Sequence, residues 1–519
     1  MSPPEFAKQV VLSFLFSLAW CGGACAADGQ ALSPSAQMSQ RIDQLINEKL
    51  REQGNEPEQL CDDATFIRRI ALDLTGKNPT SGEVVAFLRD DNPQKRAALL
   101  ERLLQSPGCA VHLANTWSAW LLPEMQDLGA GPGRAGLHTW LRNRFANNLR
   151  YDRLVADLLA ASGPASSGPG SFFISLEGKP EKIAAKTARV FLGVQLDCAE
   201  CHDHPFDHWK QRDFWGFAAY FARLSAEDMN APGGKLEVID RPEGEVKLPN
   251  TEEVIAPRAL VSTGLSGLDS GTRRQQLTLW LTARENPYLA RAAVNRCWSL
   301  LFGRGLIEPI DDMRAMEMAS HPELLRELSH EFAANHFDLH WLLRTLANTQ
   351  AYQRATAPAA AAQNAAELNS YASMPVKPLT AVQLSTCLQQ VARDVAGEES
   401  RAQADALALQ LGKLRGDSSV ATLGIVQALV TLHSGQLDKV HRQEQSRLLQ
   451  ALTAPHLNTK QRIEWLFLST LCRPPRPDEL TALLALQSDD PAAAPDKASD
   501  WQSDLLWALI NTTEFAMTP

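Results

Sequence analysis

The chain has 519 residues, 45% of them hydrophobic and 21% charged, with a formal net charge of −10. That length suggests two or three domains, and the composition is that of a globular protein rather than a disordered one. The acidic balance, with no clustered stripe of Lys and Arg to displace counterions, sets aside a nucleic-acid-binding protein.

Near the start, Val10 to Trp20 (VVLSFLFSLAW) is an apolar run too short to span a bilayer, and Ala24-Cys25-Ala26 offers a small-residue cleavage site. Residues 1–26 therefore read as an export signal, with a mature chain beginning at Ala27 and a periplasmic or cell-surface location. Lys8 is the only basic residue before the apolar run and Glu5 opposes it, so a retained membrane anchor stays open as an alternative. Lipidation at Cys21 or Cys25 is opposed by the bulky Trp20. No later segment approaches the length of a membrane span.

Residues 27–40 read as a linker. Helical periodicity then predicts helices over Arg41 to Gln53, with Ile42, Leu45, Ile46 and Leu50 on one face, and over Phe66 to Leu74. Thr80-Ser81-Gly82-Glu83 has the form of a capping box, leading a helix through Val84 to Leu88. Helices follow over Lys95 to Leu104, Val111 to Leu122, and Leu137 to Ala160. Ser162 to Ser171 reads as a loop, Glu181 to Leu196 as a helix running straight into Cys198, and Lys210 to Leu224 as another helix. From 225 to 272 Gly and Pro rise and periodicity fades. Leu236–Val238 and Val246–Leu248 alternate on either side of Arg241-Pro242-Glu243-Gly244, which suggests a small hairpin. Helices resume at about Arg274, including faces carrying Leu325, Leu328 and Phe332, then Leu339, Leu342, Leu343 and Leu346. Thr356 to Glu367 is an Ala-rich connector and Ser488 to Ser499 a loop.

The expected architecture is mainly α and multi-helical: two helical domains, 41–224 and 273–519, joined by the Gly/Pro-rich segment 225–272 with its small β-hairpin. An internal echo sets Ile70 to Val84 against Leu466 to Leu480, pairing Leu72 with Leu468, Lys77 with Arg473, Pro79 with Pro475 and Glu83 with Glu479. Downstream, the phrases starting at Leu103 and Leu509 also correspond, so two related helical modules bracket the chain on this reading.

After signal cleavage seven cysteines remain. Cys61, Cys109, Cys297, Cys387 and Cys472 lie in apolar surroundings and read as buried small hydrophobes. Cys198 and Cys201 differ. Cys198-Ala199-Glu200-Cys201-His202 fits C-x-x-C-H, the attachment pattern of c-type haem: two thiols one turn apart reach the two vinyl groups, and His202 becomes the proximal iron ligand. Zinc or another divalent metal is the first rival, held by Cys198 and Cys201 with His202, His204 or His208. A redox disulfide is the second rival, although no thioredoxin-like βαβ pattern surrounds the pair. A purely structural turn, with Asp207 and Asp213 capping the next helix, is the third.

The stretch CAECHDHPFDHWKQRDFWGFAAYFARL resembles the motif of the planctomycete cytochrome-C-like domain of unknown function, and FIRRIALDLTGKNPTSGEVVAFL and TARVFLGVQLDCAECHDHPF resemble other parts of that domain. NPYLARAAVNRCWSLLFGRGLIEPIDDMR, HPELLRELSHEFAANHFDLHWLLRTLANTQAYQR, NSYASMPVKPLTAVQL and DLLWALINTTEFAM resemble its companion planctomycete signature domain. The resemblance runs from about Arg41 to Phe515. It implies an exported, mostly helical protein, frequently encoded beside a second exported protein of the sulfatase-like superfamily that is its expected partner; it implies no reaction. A separate small cytochrome c domain, carried in front by some members, is missing, and a single CxxCH leaves no multihaem wire. His336 and His340 stand four residues apart where the family pattern commonly has other residue types, and read as exposed or packing residues rather than a metal pair.

The companion segment also collects Asn295, Arg296, Trp298, Arg304, Asp311, Asp312, Arg314 and His321. Carboxylates beside arginines bind polar substrates or act as acid and base, but such sets are more often ion-pair networks that hold a fold. Gly303 and Gly305 mark a tight turn there, without the spacing of a phosphate loop. Three functional readings follow. They are haem-based electron transfer or redox sensing with an exported partner, a binding or scaffold protein with a structural metal, and a metal-dependent hydrolase.

Overall fold

Many helices of this chain start where a short polar side chain takes up a free amide. Ser33, Asp62, Thr80, Ser106, Thr272, Asn286, Asp338, Thr349, Ser446, Asn458 and Thr512 all accept from an amide of the first turn. The computed structural model describes residues 32–122, 132–164, 168–205, 207–226, 237–261, 271–314, 316–356, 370–392, 446–488 and 500–519. The expected signal segment, most of the Ala-rich connector and nearly all of the Ser488–Ser499 loop lie outside them. Among the described residues no helix is long and apolar enough to cross a membrane.

The first half contains α1 (Pro34–Gln53), α2 (Asp63–Thr75), α3 (Ser81–Arg89), α4 (Lys95–Leu104), α5 (Pro107–Leu121), α6 (Pro132–Ala146), α7 (Tyr151–Leu159), α8 (Gly170–Ser175), α9 (Pro180–Thr187) and α10 (Gln211–Ala218). The second contains α11 (Arg273–Leu281), α12 (Pro287–Phe302), α13 (Pro322–Ala334), α14 (Leu339–Ala347), α15 (Gln350–Gln353), α16 (Ala381–Ala392), α17 (Arg447–Leu452), α18 (Thr459–Thr470), α19 (Pro477–Ser488), α20 (Asp500–Ile510) and α21 (Thr513–Ala516). The protein is mainly α, as the periodicity predicts. The capping box at Thr80 and Glu83 is present, with reciprocal bonds of 2.9 and 3.3 Å.

Several elements differ from expectation. Helix α1 begins at Pro34, so residues 34–40 of the expected linker are helical, capped by Ser33. The helix expected over Leu137 to Ala160 is two. Asn148 turns left-handed (φ 44°), and the Tyr151 amide donates to the carbonyl of Phe337, 3.0 Å away, instead of continuing the first helix. The small β elements are antiparallel, but not the hairpin expected. β3 (Glu237–Asp240) lies between β1 (Gly163–Pro164) and β2 (Leu224–Ala226), whereas β4 (Val246–Lys247) pairs with β5 (Val254–Ile255). β3 instead covers the first-half helices, burying Val238 completely. β6 (Lys377–Pro378) pairs with β7 (Met517–Thr518).

Buried apolar side chains form one core that runs through both halves, joining Ile42, Phe66, Trp117 and Phe217 to Trp280, Trp298, Leu342 and Tyr371. A second core gathers Leu379, Leu449, Leu466, Leu506 and Phe515 around Leu72 of α2. Helix α2 thus belongs to both. It also buries three charged side chains, Arg68, Arg69 and Asp73. Arg68 donates to the carbonyls of Glu514 (2.7 Å) and Phe515 (3.1 Å). Arg69 donates to those of Tyr352 (2.7 Å), Arg354 (2.9 Å) and Pro519 (2.7 Å). Asp73 accepts from the Tyr352 hydroxyl at 2.8 Å and from Lys377 Nζ at 2.6 Å, and that ammonium also donates to the Leu301 carbonyl at 2.6 Å.

Removing one member of a buried ion pair strands the other, at a cost of about 3–5 kcal/mol. Asp73→Ala is expected to destabilise the chain by about that much in urea unfolding. Asp73→Leu combined with Lys377→Met is expected to recover most of the loss, because neither charge is then stranded. A second expectation concerns acid. Burial holds His112 and His321 neutral, pushing both down to about 4 from the ordinary 6.5. Between those values the unfolded chain binds more protons than the folded one, so stability falls as pH is lowered from 6.5 towards 4. Unfolding curves across that window should show the slope, and His112→Gln with His321→Asn should flatten it.

Candidate functional site

The chain approaches the cysteine pair through an irregular path rather than the continuous helix expected. After α9 the backbone widens into a π-turn over Ala188–Leu192, and Gly193 then turns left-handed with φ 65°. The left-handed dihedral favours glycine here, and a Cβ on Gly193 would lie 2.2 Å from Cε of Met313, so a larger residue would have to displace the end of that side chain. The Met313 amide donates to the Gly193 carbonyl at 2.7 Å. The chain then enters a 3₁₀ turn over Asp197–Glu200.

That turn decides the accessibility of the motif. With three residues per turn, positions 198 and 201 fall on the same side. Ala199 is fully buried and anchors the inner side, while Cys198, Cys201 and His202 are all exposed. His202 Nδ1 lies 2.8 Å from the Asp203 carbonyl. A carbonyl only accepts, so Nδ1 is the donor in this bond and Nε2 is the nitrogen left for a ligand. Ligating histidines are oriented by this kind of bond.

Helix α10 holds the turn from behind. Gln211 Nε2 donates to the carbonyls of Glu200 (3.1 Å) and Cys201 (3.0 Å), and its amide donates to Asp203 Oδ1 at 2.9 Å. Trp215 Nε1, one helical turn on, donates to the Glu200 carbonyl at 3.0 Å. The His204 amide donates to the carbonyl of the buried Trp209 at 2.8 Å. His208 is exposed, bonded through Nδ1 to Asp207 at 2.6 Å and packed at a tilt of 40° against Trp209 with centroids 4.0 Å apart. Among the described residues no three His, Cys, Asp or Glu side chains converge as a metal-binding group. Cys198, Cys201, His204 and His208 therefore do not stand assembled as a cage, nor do His336, which is exposed, and His340, which is half-buried.

Cys61, Cys109, Cys297, Cys387 and Cys472 are free and buried, as expected. Burial pushes the thiols of Cys109, Cys297 and Cys472 up to about 12, and that of Cys387 to about 11, which leaves them unreactive.

The polar set of the second half divides. Asn295 braces a loop, accepting from the Ile307 amide at 3.1 Å and donating to its carbonyl at 2.9 Å. Trp298 stacks on Phe302 in the core, and His321 is buried against Tyr371. Asp312 pairs with Arg314 at 2.8 Å, and Arg304 is half-buried. Arg296 and Asp311 instead reach the segment that leads into the motif. The Arg296 guanidinium donates to the carbonyls of Val190 (3.0 Å) and Arg189 (2.9 Å) and packs 5.0 Å from the Trp120 ring. Asp311 accepts from Gln195 Nε2 at 3.0 Å and lies 3.6 Å from Arg189, whose guanidinium also pairs with Asp197, the residue before Cys198. Sequence reasoning missed Arg189, Gln195, Asp197, Gln211 and Trp215. Of these only Gln211 and Trp215 carried a local signal, their spacing of four on the helix after the motif.

A family model described as PSCyt2, a protein of unknown function (DUF1549), matches residues 41–226, and one described as PSD1, a protein of unknown function (DUF1553), matches residues 273–408. No curated protein and no solved structure matches the chain.

Asp311→Ala is expected to loosen residues 193–197 without unfolding the protein. Amide hydrogen exchange there should accelerate several-fold while global stability changes by about 1 kcal/mol, the scale of a partly exposed ion pair. Unchanged exchange at those amides would show that Asp311 does not restrain the segment.

Proposed function

This chain belongs to the two-domain planctomycete family in which the cytochrome-C-like domain of unknown function precedes its companion signature domain, and on that footing we propose that it is an exported electron-transfer or redox-sensing protein with one covalently attached c-type haem. The observation that carries the reading is the joint exposure of Cys198, Cys201 and His202 on one turn, with His202 Nδ1 tied to a carbonyl. The donor set fits the group. Cys198 and Cys201 would hold it as thioethers, and His202 would present Nε2 to the iron. When bound, the haem supplies a one-electron couple.

The chain's own residues do the rest. Gln211 and Trp215 pin the carbonyls of the turn, so the two thiols keep one spacing. Asp203 takes the His202 proton-bearing nitrogen through its carbonyl and takes the Gln211 amide through its side chain, which fixes the imidazole's direction. His208, held by Asp207 and Trp209, points to solvent and leaves the turn uncrowded. The exposed turn suits contact with a second exported protein, the sulfatase-like partner that the resemblance implies.

Protein produced with the c-type maturation machinery is expected to show a sharp reduced α-band and to stay coloured after denaturation. Cys201→Ser should weaken attachment, and Cys198→Ser with Cys201→Ser should abolish it. Colourless protein containing stoichiometric zinc would replace this reading with that of a metal-stabilised scaffold.

A further inference from the structure

Resting on the haem reading, we infer that Lys186 and Arg189 form a carboxylate-binding flank beside the CxxCH turn, which takes one propionate of the haem. The two side chains are three residues apart on the continuous stretch from α9 into the π-turn, and so lie on one side of it. Arg189 reaches the motif directly through its pair with Asp197, next to Cys198. From the second half, Asp311 approaches the same guanidinium at 3.6 Å.

The local charges do not cancel. Lys186, Arg189 and Arg296 face Asp197 and Asp311. Arg296 points its donors at backbone carbonyls, and both carboxylates lean on Arg189. Lys186 is half-buried and, among the described residues, makes no hydrogen bond or ion pair. Burial lowers its affinity for a proton, the neighbouring Arg189 lowers it further, and Asp197 and Asp311 restore only part of it. A half-buried ammonium with no partner of its own, amid charges that otherwise balance, is stabilised by an added anion. Beside a porphyrin-binding turn, the available anion is a porphyrin carboxylate. Lys offers it a point charge, and Arg189 offers guanidinium N–H groups.

The test is a spectroelectrochemical titration of haem-loaded wild type, Lys186→Gln and Lys186→Arg between about pH 4 and 8, the range in which a half-buried carboxylate released from a cation takes up its proton. Wild type should show a reduction potential that varies little with pH. In K186Q the carboxylate, left with Arg189 alone and Arg189 already shared by Asp197 and Asp311, should gain its proton within the range, so the potential should fall as pH rises, and K186R should restore the flat profile. A loaded K186Q that follows wild type at every pH overturns the inference and leaves the haem reading standing. Equal shifts in K186Q and K186R mean altered packing rather than lost charge, and also overturn it. Wild type that matures without haem overturns both. Near-UV circular dichroism of each variant shows that the fold is intact.

Discussion

The ion pair between Asp73 and Lys377 joins parts of the chain that lie about three hundred residues apart, with Asp73 buried and the Lys377 side chain only 11% exposed, so water does little to compensate either charge. Loss of hydration raises the Asp73 carboxyl and lowers the Lys377 ammonium, so each holds its charge only through the other and through the Tyr352 hydroxyl and Leu301 carbonyl. Those partners come from α2, the end of α12, α15 and β6. None can be displaced without stranding a buried charge. Arg68 and Arg69 extend the same logic to residues 514–519. The first and last segments of the described fold are therefore bound to each other through one helix.

The turn bearing Cys198, Cys201 and His202 inherits its position from this framework. Helix α12, whose last turn is held by Lys377, also carries Arg296, which grips the carbonyls of the π-turn. The loop after α12 supplies Asp311 and Met313, which hold Gln195, Arg189 and Gly193. The second half thus restrains the leash to the motif while α10 pins the motif itself. A change in the turn would be felt first at Arg189, whose side chain contacts both Asp197 and Asp311.

The internal echo has a structural counterpart. Gly76 and Cys472 occupy equivalent places and share a left-handed backbone, with φ 67° and 59°. Glu83 and Glu479 each reach back to the amide three residues earlier, at 2.9 and 2.7 Å. Ser106 and Thr512 cap the corresponding downstream helices. The two modules touch where Asn78 donates to the Thr470 carbonyl at 3.2 Å.

Sequence alone determined what depends on neighbours along the chain. Helix periodicity, the Thr80–Glu83 box, the inert character of five cysteines and the CxxCH itself were legible because each is set within a few residues. Tertiary structure decided the rest. Asn148 and the Phe337 carbonyl break one expected helix, Val238 finds its partners in β1 and β2 rather than across the nearby turn, and Met313 against Gly193 ends the helix before the motif. Arg296 and Asp311 read as members of a separate polar cluster until folding set them beside residues 189–197. Burial of Arg68, Arg69 and Asp73 ran against their type. Charged side chains enter a core only when partners wait there, and those partners, from Tyr352 to Pro519, are distant in sequence and adjacent only in space.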